Sequence, residues 1–259
     1  KDITLAMRLV LSLRRVHTTL PIRLHVSGER HQNYEAKFVE QGVEVVSAPT
    51  FGVPRWANPW HAGTFAKLAA LSVTNTDRII VLDVDTVVLR NVDHLAGAPT
   101  PSMVYVSSSC GAKCCWEINS GVMVLSPSPS EHARVRARLE NGSQARHASG
   151  DGGDQSFWRR YFSQVHELPA VYNAEKRNNI SNWRSVFVLH DLWGPRWARW
   201  WPLRVRERDP GSVPLLQEYE YLTINASRLM ASALGERDGP ANHTRIVCYR
   251  KNAMQLCDE

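Results

Sequence analysis

The chain of 259 residues has 31 Lys and Arg against 25 Asp and Glu, a formal net charge of +6, and 43% apolar residues. That apolar share excludes a mostly disordered chain, and no run reaches the roughly 18 apolar residues of a membrane span. The arginines form no dense stripe, so no nucleic-acid partner is expected.

Taken in order, Ile3, Met7, Val10, Leu11 and Leu13 recur near helical spacing, with Arg8, Arg14 and Arg15 expected on the other side. Strands are predicted over 22–27, 43–47 and 78–82, with helices over 34–41 and 64–73 and a Pro- and Gly-containing loop over 50–58. This alternation predicts an α/β fold with a mostly parallel central sheet flanked by helices. Further on, 102–107, 121–126 and 186–190 read as strands, 130–139 and 154–162 as helices, and 144–150 as a polar loop. Residues 215–234 form an amphipathic pattern, and the polar stretch after it is expected to be irregular.

The chain begins with Lys1 and reads as a processed chain or fragment, so any membrane anchor is expected outside it. Its cysteines, Cys110, Cys114, Cys115, Cys248 and Cys257, make no C-x-x-C pair, and a structural zinc site is not expected. Cys248 with Cys257, or Cys110 with Cys114 or Cys115, are candidate local disulfides; the alternative is a set of reduced thiols in the cytoplasm. Sequons at Asn141, Asn179, Asn225 and Asn242 favour the secretory-pathway lumen.

The sharpest chemical signal is Ile79-Ile80-Val81-Leu82-Asp83-Val84-Asp85-Thr86. An apolar strand ends in two carboxylates at i and i+2, which a strand would direct to one side. Ligands of open α/β sheets bind outside those strand ends. Two hard oxygen donors there suit manganese, or alternatively magnesium, carrying a phosphate ligand. Two enzyme classes share this pattern: a nucleotide-sugar transferase and a phosphohydrolase of the haloacid dehalogenase type. For the second, Asp151 and Asp154 would have to close an apolar strand, yet the preceding Ser143–Ser149 stretch is polar.

Six stretches in the same order carry a more specific likeness: Phe65-Ala66-Lys67-Leu68, Leu82–Val88, Asn119–Val124, Asp151-Gly152-Gly153-Asp154-Gln155, Leu168–Ala174 and Val188-Leu189-His190. With them, residues 1–205 resemble the family 8 retaining glycosyltransferases, the group that includes glycogenin. His190-Asp191-Leu192-Trp193-Gly194-Pro195 with Trp200-Trp201 is most similar to the plant glycogenin-like branch, some members of which transfer glucuronic acid to inositol phosphorylceramide.

The resemblance implies the A-type nucleotide-diphospho-sugar transferase fold, with its first strand not visible in this chain. It implies a catalytic domain over 1–205 and a C-terminal helical and irregular extension over 206–259. The implied reaction moves a hexose or hexuronic acid from a UDP-sugar to a hydroxyl of a glycan, glycolipid or protein acceptor, with retention. Asp83, Asp85 and His190 would hold manganese. Lys67, Asn119, Ser120, Gly121, Gly194 and Arg196 would bind the donor. Arg196, with Arg199 next, stands where the family has a Lys. Asp154, Gln155 and Asp151 would lie near the anomeric carbon. Trp193, Trp197, Trp200 and Trp201 are candidates for the acceptor surface. A catalytically inactive carbohydrate-binding or scaffold homologue is the alternative. The compartment expected is the Golgi lumen.

Overall fold

The computed structural model describes residues 2–27, 31–48, 51, 54, 56–110, 113–140, 152–175, 180, 182–190 and 213–233, and the strands 247–250 and 253–256. The opening helix α1 is Asp2–Arg15, followed by strand β1 (Ile22–Val26), helix α2 (Gln32–Glu40) and strand β2 (Val43–Ser47). Met7, Val10 and Leu13 are buried along α1 as the periodicity predicts. Arg8 is not on an outer face: it is 2% exposed and donates to the Tyr219 hydroxyl at 2.7 Å.

The stretch Pro59–Ser72 winds as a 3-10 helix rather than an α-helix. Its hydroxyls match that spacing, since Thr64 Oγ1 donates to His61 O at 2.7 Å and Ser72 Oγ to Ala69 O at 2.7 Å, each three residues back. Strands β3 (Ile79–Leu82), β4 (Thr86–Val88), β5 (Ser102–Cys110) and β6 (Lys113–Leu125) follow, then helices α3 (Pro129–Glu140) and α4 (Asp154–Tyr161). Strands β7 (His166–Leu168) and β8 (Val188–His190) precede helix α5 (Val213–Ala233).

The α/β class is as expected, but the sheet is mixed, not mostly parallel. Its order is β3-β6-β5-β7, with β3–β6 and β5–β6 antiparallel and β5–β7 parallel. The reason is the link between β5 and β6. Cys110 pairs with Lys113, so the strands are joined by a hairpin too short for the crossover that parallel strands need. Beside this sheet, β1–β2 is a parallel pair and β4–β8 an antiparallel one.

Alternation along β6 divides the core. Val122 and Val124 pack with Leu9, Leu13, Val88 and Val104, whereas Met123 and Leu125 pack with Phe65, Leu68 and Trp158. Helix α5 adds an outer layer through Tyr219, Leu222, Ala226 and Met230, spaced three and four apart. Tyr219 and Leu222 meet Val87 and Leu189, while Ala226 and Met230 meet Ala6, Met7, Val10 and Phe38.

Within the C-terminal stretch expected to be irregular, the described residues are strands. Val247–Arg250 (β9) and Ala253–Leu256 (β10) form an antiparallel pair, Arg250 facing Ala253 across a two-residue link. The cysteine side chains lie outside the described residues, as do Asn141, Asn179 and Asn242. Asn225 is half-buried on α5.

Candidate functional site

The two carboxylates converge through a turn. Strand β3 stops at Leu82, and Asp83-Val84-Asp85 reverse into β4. The Asp83 carbonyl closes the turn by accepting from Thr86 N at 3.0 Å and Thr86 Oγ1 at 2.6 Å. The expected strand alternation is therefore not what brings Asp83 and Asp85 together. His190 ends β8, which pairs with β4 so that His190 stands opposite Thr86. Its Nε2 lies 3.3 Å from Asp85 Oδ1 and 3.9 Å from Asp83 Oδ2. One ligand atom from each of the three lies within 4.8 Å of the others, the imidazole buried and the carboxylates half-buried.

A bulge in β6 forms the neighbouring wall. Met103 of β5 pairs with Met123, but Val104 pairs with Asn119, leaving Ser120, Gly121 and Val122 outside that ladder. On the other side the Gly121 carbonyl accepts from Asp83 N at 2.9 Å. Asn119, Ser120 and Gly121 thus lie within a long strand, which begins well before the predicted start at 121. Gly121 is required by close approach, because a Cβ there would overlap the His190 ring.

Lys67, from the 3-10 helix, reaches the centre. Its ammonium lies 2.8 Å from Asp83 Oδ1 and 2.8 Å from Asp154 Oδ2, and donates to Ser120 Oγ at 3.1 Å. Burial would lower the Lys67 pKa, but the Asp154 and Asp83 charges outweigh it and hold the ammonium well above its ordinary range. Burial pushes the Asp154 carboxyl up, against the pull of Lys67. For Asp85 burial is overcome by the hydrogen bond and charge of His190, which hold it low. For His190 burial is likewise overcome by Asp85, and its pKa is raised.

Asp154 opens α4, which starts after a backbone turn fixed by Gly152. That glycine has φ +67, and a Cβ would crowd the Asn58 backbone. The turn is tied down by Asn58 N donating to Gly152 O at 2.9 Å and Asp154 N to Thr64 Oγ1 at 3.1 Å. From the next position, Gln155 Oε1 accepts from Ser120 N at 3.2 Å.

Lys67, Asp83, Asp85, Asn119, Ser120, Gly121, Asp154, Gln155 and His190 therefore form one continuous cluster. Asp151, Gly194, Arg196, Arg199 and the tryptophans at 193, 197, 200 and 201 lie outside the described residues. Asn173 belongs to the cluster too, although no role was read for it in the sequence. Its Oδ1 lies 2.9 Å from His190 Nδ1. The only sequence signal was its place in the Leu168–Ala174 stretch.

Comparison with known proteins finds glycosyltransferases. The mannosyltransferase family model Mannosyl_trans3 matches residues 1–97. Glycogenin-1 of Caenorhabditis elegans is 31% identical over 182 residues, 65% of this chain and 40% of the relative. UDP-glucuronate:xylan alpha-glucuronosyltransferase 2 of Arabidopsis thaliana is 29% identical over 146 residues, 51% of this chain and 22% of the relative. The chain thus spans less than half the length of these relatives. The crystal structure of the galactosyltransferase LgtC with donor and acceptor sugar analogs superposes with a TM-score of 0.53 at 15% identity, covering 92% of this chain and 94% of that one. The fold is the A-type nucleotide-diphospho-sugar transferase fold.

Proposed function

We propose that the chain, which is similar to the glycogenin-like glycosyltransferases of family 8, transfers a hexose or hexuronic acid from a UDP-sugar to an acceptor hydroxyl with retention. The observation that carries this reading is the convergence of Asp83, Asp85 and His190 beside a lysine that joins Asp83 to Asp154. The donor set fits a divalent cation. It offers two half-buried hard carboxylates and an imidazole whose Nε2 faces them, its ring seated where a glycine at 121 leaves room. Asp83, Asp85 and His190 would hold manganese, with magnesium as the alternative. A bound divalent ion would supply Lewis-acid stabilisation of a leaving diphosphate.

In the reaction the bond from the anomeric carbon to the diphosphate oxygen breaks and the acceptor oxygen bonds to the same carbon. The acceptor's proton passes to the departing phosphate on the same face. Lys67 adds a fixed positive charge beside Asp83, and Ser120 and Gln155 line the approach with hydroxyl and amide groups. Asp154 is gripped by Lys67 and 3% exposed, which suits electrostatic support of positive charge at the anomeric carbon better than nucleophilic attack. Gly194 and Arg196 are assigned to the diphosphate and Asp151 to the sugar.

Relatives acting with UDP-glucuronate support a hexuronic acid among the donors, and a glycan, glycolipid or protein is the acceptor class. The secretory-pathway lumen, at the Golgi, is the compartment proposed. No helix among the described residues is long and apolar enough to cross a membrane.

The test is UDP release from a panel of UDP-sugars with and without manganese. Release that needs manganese and disappears in Asp85→Ala is the expected result. No release with any donor, together with no manganese binding, would overturn the reading.

A further inference from the structure

The polar atoms behind His190 form one directional chain, and its direction is set by the backbone. Gly121 N can only donate, and it donates to Asn119 Oδ1 at 2.8 Å. The same oxygen accepts from Asn173 Nδ2 at 2.7 Å. Asn173 therefore turns its carbonyl oxygen, not its NH2, to His190 Nδ1 at 2.9 Å. A carbonyl oxygen cannot donate, so Nδ1 must carry the hydrogen. Inverting either amide would set hydrogens against hydrogens in a place where Asn119 is 2% exposed, Asn173 0% and His190 6%. The histidine backbone is held as well, His190 N donating to Ala174 O at 2.8 Å.

We infer that Asn119 and Asn173 are positioning residues that fix His190 as its Nδ1–H tautomer and so present the Nε2 lone pair to the space between Asp83 and Asp85. This rests on the cation-site reading above. Gly121 closely approaches the Nδ1 and Cε1 atoms of the same ring, so orientation and tautomer are set together. An imidazole left free to exchange tautomers would place a hydrogen where a cation needs a lone pair. Groups that orient a metal-binding histidine in this way typically contribute 10- to 100-fold in metal affinity.

The test is a long-range proton–nitrogen spectrum of the 15N-labelled protein without metal, at a pH where the ring is neutral. The His190 signal is assigned by its loss in His190→Gln. The expected wild-type pattern is Nδ1–H. Asn173→Ala should mix or invert the pattern and weaken manganese binding about 10- to 100-fold, measured by electron spin resonance of the free ion. Asn173→Asp, which still accepts from Nδ1–H, should keep the pattern. An Nε2–H pattern in the wild type would overturn the inference without any variant, as would Asn173→Ala with both pattern and affinity unchanged. A wild type that shows Nδ1–H yet binds no manganese supports the tautomer assignment and overturns the cation-site reading alone.

Discussion

At the end of β3, Lys67 stands between two carboxylates that retain access to solvent on the Asp83 side, where the side chain is 25% exposed. In the seam between α1 and α5, Arg8 is sealed from solvent, gives one hydrogen to the Tyr219 hydroxyl and lies 4.8 Å over the centroid of that ring. Both are buried cations, yet their surroundings differ in kind. The first sits among groups whose charges face one shared space and can be rearranged by a ligand. The second lies against a phenol in the seam between two helices, sealed from solvent. Burying charge costs free energy in either place, so the comparison separates a cost tied to function from one tied to assembly.

The largest effect is expected at the first cation. Lys67→Met leaves Asp83 and Asp154 without their shared counter-charge, and breaking such a buried pair costs on the order of 3 kcal/mol. Chemical denaturation should show that loss, with turnover reduced at least ~100-fold in the protein that remains folded. A Lys67→Met protein of unchanged stability would mean that the carboxylates are satisfied otherwise, and the contrast with Arg8 would fail. Next comes Gly121→Ala, whose Cβ must displace the His190 ring. Manganese affinity should fall about 10- to 100-fold, read by titration calorimetry, and a normal affinity would show that the ring has another acceptable position.

These residues were legible in the sequence to different degrees. Asp83, Asp85 and His190 were readable because carboxylates closing an apolar strand and a histidine ending another are chemically conspicuous. Lys67 was readable only through the order of the motifs, since a helical lysine is ordinarily solvated. The turn at Asp83–Asp85 was not, because Val84 continues the apolar alternation while its backbone has already left the strand. Nor was the bulge at 120–122, because the polar Asn119-Ser120 pair ahead of Gly121 reads as a loop before a strand. The mixed sheet escaped because strand-and-helix alternation in the first 80 residues does not continue into the β5–β6 hairpin. Asn173 escaped because its meaning depends on two partners, at 119 and 190, that only the fold brings to it.

The outer cation supplies the next step of the comparison. Arg8→Met removes the hydrogen bond to the Tyr219 hydroxyl and the charge over its ring, and should destabilise by about 1–3 kcal/mol. Adding Tyr219→Phe should recover part of that loss, since the pair is coupled through the hydrogen bond. Manganese affinity should not change in either variant. A drop in affinity would show that the α1–α5 seam transmits to the site, and that the two regions are not separate in function.

The smallest effect concerns a carboxylate that belongs to assembly alone. Asp93 follows β4 and accepts from Thr19 N at 2.8 Å and Thr19 Oγ1 at 2.9 Å, and from the Thr18 hydroxyl. Burial would raise its pKa, but these hydrogen bonds outweigh burial and hold it below the usual carboxylate range. A folded pKa below the unfolded value means that the bonds stabilise fully above the unfolded carboxylate value of about 4. The stabilisation is then lost as pH falls through the lower folded value. Asp93→Asn should therefore cost about 1 kcal/mol at neutral pH, and the difference from wild type should shrink below about pH 4. Manganese should leave that difference unaltered, because every contact named for Asp93 is made to the α1–β1 connection rather than to the shared space at Asp83 and Asp85. A difference that grew in acid, or moved with the metal, would place Asp93 with the site carboxylates instead.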